Sequence, residues 1–207
     1  MKYTENELNG LKEAVKERMS EKRFSHTLGV ERMAKLLGEL ILPQSVSELR
    51  AAAILHDVAK EIPDDVQIAL LEKSDFHLTD EDKATTGVIH SFVAPIIIKK
   101  DFQKFATENI LSAVEKHTVG AEDMSIFDVI ILVSDYIEDT RTYTSCIEVR
   151  KMLLDNLENE NYMGRVKRLM SACSGAISGA ESALRRLNMP INSRMEKAKI
   201  FLAKNNL

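Results

Sequence analysis

Residues 51–60 read AAAILHDVAK, and the helical character of the chain is clearest in this stretch. Its apolar residues continue a helical spacing that begins near Leu49 and extends to Ala59. The adjacent pair His56 and Asp57 interrupts this apolar run. A carboxylate removed from water costs several kcal/mol of free energy unless a cation or strong hydrogen-bond donors compensate it. The stretch therefore predicts a buried helix in which Asp57 has a cationic partner.

The rest of the chain shows the same helical spacing, and alternating runs typical of β-strands are rare. We therefore predict an all-α fold. The polar segment 74–87 is predicted to be a loop that either covers a site or has no role. The first predicted helix begins at a capping box of Thr4 and Glu7 and ends at about Ser20, and the second runs from near Lys22 to between Gly38 and Pro43. A third runs from Ser47 to before Pro63, where a short fourth helix begins. The remaining predicted helices cover 90–99, 108–118, 124–139, 147–159, 166–187 and 193–204.

The composition is that of an ordinary globular chain. The 207 residues are 44% hydrophobic and 29% charged, which is enough to build one core. A net charge of −4 argues against a broad surface for nucleic acid or for an anionic membrane. No apolar run reaches the roughly 20 residues that cross a bilayer, and residues 1–10 do not resemble a signal peptide. We expect a cytoplasmic protein with no nucleic-acid or membrane partner, in which Cys146 and Cys173 are reduced.

Histidines and aspartates on separate predicted helices are the candidate functional residues. Asp135 follows the apolar run at 130–133, as Asp57 follows its own apolar turn, and two buried acids on different helices suggest a shared cation. Imidazole and carboxylate together suit divalent Fe, Co, Mn or Zn. Any one of these histidines taken alone is more often a hydrogen-bonded core residue than a ligand. Six such groups suffice for two metals: His26, His56, Asp57, His90, His117 and Asp135.

The order and spacing of these six residues resemble the HD superfamily of metal-dependent phosphohydrolases. The segments RFSHTLGV at 23–30, AAAILHDVAK at 51–60, KHTVG at 116–120 and VSDYIEDTR at 133–141 resemble, more narrowly, the bacterial symmetrical diadenosine tetraphosphate hydrolases of the YqeK type. This resemblance implies an HD-domain helical bundle with a C-terminal helical extension. We expect one helical domain over 1–207, with a phosphohydrolase core at 20–141 and the helices of 142–207 completing the fold.

The resemblance also implies a dimetal centre and a reaction. His26, His56, Asp57 and Asp135 would hold one metal, and Asp57 would bridge to a second held by His90 and His117. Iron is the expected metal, with Co, Mn or Zn as alternatives. Diadenosine tetraphosphate would be cut symmetrically into two ADP by a water between the two metals, in which Asp57 has a catalytic role as the bridging ligand.

Four further residues are candidates for catalysis or substrate binding. Lys60 lies one helical turn after His56 and could reach the phosphate as a catalytic and binding group, although it could instead interact with a helix C-terminus. Arg141 could pair with the outer phosphates or be a solvated surface charge. Thr118 and Gly120 match the HTTG segment of the family, in which this chain has Val119 instead of a second threonine. The chain also has EDTR where a proline is expected after the metal aspartate, so the turn before Arg141 lacks a rigid residue.

Two alternative functions remain open from the sequence. The same centre could act on another nucleotide, such as a nucleoside monophosphate, a deoxynucleotide or a guanosine alarmone, because metal ligands hold phosphate and do not read the base. The chain could also be a non-catalytic nucleotide-binding helical module. Its amphipathic tail after Ile147 would then serve a partner helix, whereas the simpler interpretation is that the tail closes the core or a homodimer.

Overall fold

The computed structural model describes residues 2–205, and this part of the chain consists of helices joined by short turns, without a β-strand. The prediction of an all-α fold is therefore confirmed. The eleven α-helices in the described residues are α1 (Glu5–Lys16), α2 (Glu21–Ile41), α3 (Val46–Leu55), α4 (Asp64–Glu72), α5 (Asp80–Ala84), α6 (Thr86–Asp101), α7 (Glu108–Lys116), α8 (Ile126–Ile137), α9 (Thr144–Leu154), α10 (Tyr162–Arg186) and α11 (Ser193–Asn205).

Side-chain caps fix where the helices of the site begin. Ser20 accepts a hydrogen bond from the Arg23 amide at the start of α2, and Ser125 forms a capping box with Asp128 at the start of α8. The predicted capping box of Thr4 and Glu7 is present at α1. Such caps satisfy amide groups that have no partner inside the helix and contribute about 1 kcal/mol each.

The helices share one hydrophobic core. α2 packs against α3 and α8, α7 packs against α3, α6 and α8, and α10 packs against α8, α9 and α2. Buried side chains form a continuous cluster from Tyr3 to Leu202, so the helices after residue 142 contribute to the same core as the earlier ones. The buried ion pair of Arg50 and Glu31 joins α2 and α3, and Arg50 also bonds the exposed Glu5 of α1.

The predicted end of α2 between Gly38 and Pro43 is confirmed, because the helix ends at Ile41, and Gly38 gives room to the Leu49 side chain of α3. Two other predicted boundaries were wrong. The segment 74–87 is not all loop, because Thr79 and Asp82 form a capping box that starts α5. The helix of the AAAILHDVAK stretch ends at Leu55, so His56 and Asp57 lie in a series of tight turns and not inside the helix.

Two smaller observations concern membrane crossing and the cysteines. Within residues 2–205, no helix combines the length and the apolar character needed to cross a membrane. Cys146 and Cys173 are both buried free thiols. Burial raises the pKa of Cys173 to about 12.

Candidate metal centre

The fold brings all six predicted ligands into one cluster. His26 lies in α2, His90 in the second turn of α6 and Asp135 in the last half of α8. His56 and Asp57 directly follow α3, and His117 directly follows α7. Five of the six side chains are almost completely buried, and Asp135 is 20% exposed. These positions are separated by up to 109 residues in sequence, so the cluster is a product of helix packing.

Asp57 stands between two groups of imidazoles. Its Oδ1 is 3.2 Å from His90 Nε2 and 3.7 Å from His117 Nε2. Its Oδ2 is 3.4 Å from His56 Nε2 and 3.8 Å from His26 Nε2. Each carboxylate oxygen therefore faces a different pair of histidines, which is the geometry that a bridging carboxylate needs.

Asp135 completes the first of these two groups. Its Oδ1 is 2.9 Å from His26 Nε2 and 3.9 Å from His56 Nε2. One ligand atom from each of these three residues lies within 4.8 Å of the others, and the same holds for His56, Asp57 and His117. Burial raises the pKa of both aspartates. The neighbouring histidines, together with Arg141 at Asp135, lower it more, so both pKa values lie well below the usual range and both groups are carboxylates.

The Nδ1 atoms of three histidines are fixed by acceptors outside the cluster. His56 Nδ1 lies 2.7 Å from the Ala53 carbonyl at the end of α3, and His117 Nδ1 lies 2.7 Å from the Val114 carbonyl at the end of α7. Carbonyls in the last turn of a helix have no partner inside it, so each helix end provides an acceptor for the histidine that follows. A proton on Nδ1 leaves the Nε2 lone pair free to face the cluster.

The third fixed histidine reveals a residue that the sequence analysis missed. His26 Nδ1 donates to Glu138 Oε1 at 3.1 Å, and the Glu138 side chain is completely buried. Glu138 also accepts from the amide and the hydroxyl of Thr140. Gly29 makes this possible, since a Cβ atom at that position would lie 2.2 Å from Glu138 Oε2. The only sequence signal was an additional acid after Asp135, which was assigned to the following turn.

Lys60 lies beside His90 in the structure. Its Nζ is 3.0 Å from the Gly87 carbonyl and 3.1 Å from His90 Nδ1. Burial lowers the pKa of Lys60, although the charge of Asp57 opposes this effect. Burial also lowers the pKa of His90, to about 4. A role of Lys60 toward a substrate phosphate stays a prediction.

Two arginines contact the two aspartates. Arg141 Nη2 donates to Asp135 Oδ1 at 2.8 Å, and Arg23 Nη1 donates to Asp57 Oδ2 at 2.8 Å. Arg23 was not among the predicted site residues. The turn before Arg141 lacks the expected proline. Arg150 stabilises this turn instead, because it donates hydrogen bonds to the carbonyls of Ile137, Glu138 and Arg141.

The remaining predicted residues take different positions. Thr118 Oγ1 is 3.1 Å from His117 Nε2 and 3.4 Å from His90 Nε2, so it lies directly at the cluster. Gly120 is buried with a φ of +71°, and a Cβ there would be 2.8 Å from Ala198 Cβ of α11. Its contacts favour the interpretation that a glycine is needed for the backbone turn and for close packing.

Two cavities open beside the cluster. We call the first the apolar cavity: it has a volume of about 570 Å³, reaches His117, Thr118 and Asp135, and is walled by α10. We call the second the basic groove: it has a volume of about 410 Å³ and reaches His26. Arg141 and Tyr143 line both of them. Gly120 lines neither. The cluster thus has open space on two sides with different chemistry.

Comparisons with known proteins show the family of the chain. The model of the HD domain family matches residues 23–140. A symmetrical bis(5'-nucleosyl)-tetraphosphatase of Bacillus subtilis (strain 168) is 33% identical over 158 residues, which are 75% of this chain and 82% of the relative. A protein of the same name from Staphylococcus aureus is 30% identical over 143 residues, which are 68% of this chain and 71% of that relative.

A solved structure is similar to the whole fold. The crystal structure of a predicted HD superfamily hydrolase involved in NAD metabolism from Clostridium acetobutylicum superposes with a TM-score of 0.81. The match covers 95% of this chain and 96% of that chain at 24% sequence identity. It therefore extends beyond the residues matched by the family model and includes the C-terminal helices.

Proposed function

Because this chain belongs to the HD domain family and, within it, to the symmetrical bis(5'-nucleosyl)-tetraphosphatases, we propose that it hydrolyses diadenosine tetraphosphate to two ADP. The observation that carries the proposal is the position of Asp57, whose two carboxylate oxygens face two separate pairs of histidines. Hydrolysis between the second and third phosphorus atoms consumes one water and gives two identical products.

The donor set fits divalent transition metals. The buried Nε2 atom of His56 has no hydrogen-bond partner in the described residues, although its Nδ1 has one. A buried nitrogen lone pair directed at carboxylates is costly unless a cation lies between them. His26, His56, Asp57 and Asp135 would hold one ion, and Asp57, His90 and His117 would hold the second. We propose iron as the metal, and cobalt, manganese and zinc suit the same donors.

When bound, the two cations would lower the pKa of the attacking water and neutralise charge on the phosphoryl oxygens. The chain's own residues then have separate tasks. Glu138 and the carbonyls of Ala53 and Val114 fix the proton on Nδ1 of three histidines. Lys60 Nζ lies 3.1 Å from His90 Nδ1. The contacts of His26, His56 and His117 keep three Nε2 atoms directed at the cluster, where the ions would bind.

Substrate binding is assigned to the groups around the cluster. Arg141 and Arg23 carry guanidinium groups, which bind phosphate oxygens in pairs. Thr118 offers a hydroxyl beside His117 and His90. The apolar cavity, with walls that include Leu132, Ile177 and Leu184, suits a flat nucleobase. We further propose a cytoplasmic enzyme, for which the buried free thiols are one supporting observation.

Product analysis tests this function. The purified chain is loaded in turn with Fe(II), Co(II) or Mn(II), incubated with diadenosine tetraphosphate, and its products are separated by chromatography. We expect ADP as the sole product, and we expect Asp57→Asn to abolish its formation while thermal unfolding remains cooperative. The matched control is Asp75→Asn, at an exposed position away from the cluster.

Other outcomes of this assay would contradict the proposal in different ways. AMP together with ATP would mean that a different phosphorus is attacked. Turnover of a nucleoside monophosphate, a deoxynucleotide or a guanosine alarmone in preference to diadenosine tetraphosphate would keep the chemistry and change the substrate. Nucleotide binding without turnover by any metal form would favour a non-catalytic module.

A further inference from the structure

The two cavities beside the metal cluster have opposite chemistry. The walls of the apolar cavity are mostly aliphatic and come from α8, α10 and α11. The basic groove is lined by polar and charged side chains from the start of α2 and from the turn after α8. Its lining residues include no aliphatic side chain, and its two ring side chains are those of His26 and Tyr143. A ligand that entered both cavities would meet different chemistry at its two ends.

The charge of the basic groove favours an anion. Lys22, Arg23 and Arg141 contribute three cations to its lining, against the two carboxylates of Glu61 and Glu138, and Glu138 is already bonded to His26 and Thr140. The carboxylate of Glu61 already accepts two hydrogen bonds from Ser20, one from its amide and one from its hydroxyl, each at 2.6 Å. A concave surface with an excess of one sign of charge attracts ligands of the opposite sign.

Arg23 has donor capacity that the protein does not use. Its Nη1 is bonded to Asp57, but its Nε is buried and has no hydrogen-bond partner among the described residues. A buried N–H without a partner costs free energy, and the Arg23 side chain as a whole is 29% exposed. This unpartnered donor lies in a side chain that lines the groove and also touches the metal cluster.

We propose that the two halves of the substrate bind in chemically different sites, one nucleoside in the apolar cavity and the opposite half through its phosphates in the basic groove. This rests on the proposed function, because it requires a substrate whose scissile phosphorus lies at the cluster. Arg141 and Tyr143, which line both cavities, mark the junction. The enzyme therefore treats a symmetrical substrate asymmetrically and reads only one of its two bases.

Adenosine 5'-tetraphosphate tests this division because it lacks the second nucleoside and keeps all four phosphates. We expect the wild-type enzyme to cut it between the second and third phosphorus atoms, with one water consumed, to ADP and pyrophosphate. Its KM should lie within about fivefold of that for diadenosine tetraphosphate, since the groove binds phosphates and not the base. Cleavage of the dinucleotide with no cleavage of adenosine 5'-tetraphosphate would overturn the proposal, because the second base would then be required.

A pair of lysine variants on α2 tests the groove itself. Lys22 lines the groove and is exposed, whereas Lys35 is exposed on the same helix and pairs with Glu39 away from it. We expect Lys22→Glu to raise the KM for both substrates about fivefold or more, with kcat within twofold, and Lys35→Glu to leave both constants unchanged. Equal constants for the two variants would overturn the proposal.

Calorimetry separates this proposal from the proposed function. Binding of inorganic tripolyphosphate to the same three proteins requires no turnover. Weaker binding by Lys22→Glu than by Lys35→Glu supports the phosphate groove, whether or not nucleotides are hydrolysed. If this difference is found and no nucleotide is hydrolysed, only the hydrolase function is refuted. Equal binding by all three proteins overturns the groove whatever the activity.

Discussion

Replacing Gly29 by alanine should destabilise the protein, although it lies inside helix α2. In a helix interior, alanine is more favourable than glycine by roughly 0.5–1 kcal/mol. Here the new Cβ atom would lie 2.2 Å from Glu138 Oε2 and 3.0 Å from its Cδ, far inside ordinary van der Waals contact. The Glu138 carboxylate would have to move by more than about 1 Å to restore such contact.

The environment of Glu138 determines how much Gly29→Ala lowers the free energy of unfolding. Its side chain is completely buried and accepts hydrogen bonds from His26 Nδ1 and from two groups of Thr140. Hydrogen bonds to a charged group contribute about 1.5–3 kcal/mol, and breaking a buried charged pair costs about 3–5 kcal/mol. After the gain in helix propensity, we expect Gly29→Ala to lower the free energy of unfolding by about 2–4 kcal/mol. Loss of the acceptor for His26 should also weaken metal binding about 10- to 100-fold.

Urea denaturation of the metal-free chain measures the first effect, and titration with Mn(II) or Co(II) measures the second. Gly10→Ala is the matched control, because Gly10 is an exposed helical glycine with nothing within 4 Å of the new methyl group, and it should stabilise by up to about 1 kcal/mol. In a Glu138→Ala background, Gly29→Ala should lose its penalty. The reasoning is refuted if Gly29→Ala stabilises as Gly10→Ala does, or if its cost is unchanged in that background.

Three further predictions concern stability. Arg50→Met should lower the free energy of unfolding by about 3–5 kcal/mol in urea titration, since it leaves Glu31 buried with Lys12 as its remaining cation; a change below 1 kcal/mol would contradict this. Gly120→Ala should cost about 2–4 kcal/mol in the same assay, because it combines a left-handed φ with a 2.8 Å contact to Ala198, and a stabilised variant would be the contrary result. Asp82 is buried, which raises its pKa, but hydrogen bonds from Asn192 and Thr79 lower it more, so its folded pKa is below its unfolded one. The contribution of Asp82 to stability is then present above about pH 4 and lost as the pH falls below that value. The Tm difference between the wild type and Asn192→Ala should therefore shrink from pH 6 to pH 3. A constant difference would show that Asp82 is not the cause.

The cluster was predictable because its two aspartates are locally unusual and its histidines are informative as a set. A charged or polar group within an apolar helical pattern, as at Asp57 and Asp135, signals a buried partner without any knowledge of the fold. The packing of α2, α3, α6, α7 and α8 then brings these residues together. The sequence also carried the signal for α5, a threonine followed three residues later by an acid, but the surrounding polar residues made a loop the simpler interpretation.

The end of α3 at Leu55 could not be predicted from periodicity. Neighbouring residues on an α-helix point about 100° apart, so His56 and Asp57 could not both face one cluster from a regular helix. The chain instead passes through tight turns in which the amides of Val58 and Lys60 donate to carbonyls three residues earlier. The helix therefore ends at Leu55 because of tertiary contacts in the cluster and not because of the local sequence. Glu138 was missed for the same reason, because its partner His26 is 112 residues away.

The C-terminal helices show where sequence patterns stop being informative about a site. Ala176, Gly179, Ala180 and Ala183 follow the i, i+3, i+4, i+7 spacing of one face of α10. Such a face of small residues is compatible either with close approach of another helix or with open space. In the fold both occur, because the face lines the apolar cavity beside Asp135 and Gly179 also gives room to the Tyr136 side chain of α8. The groups that would bind metal can thus be recognised as a set from the sequence. The space that would hold a base lies between helices and has no sequence pattern of its own.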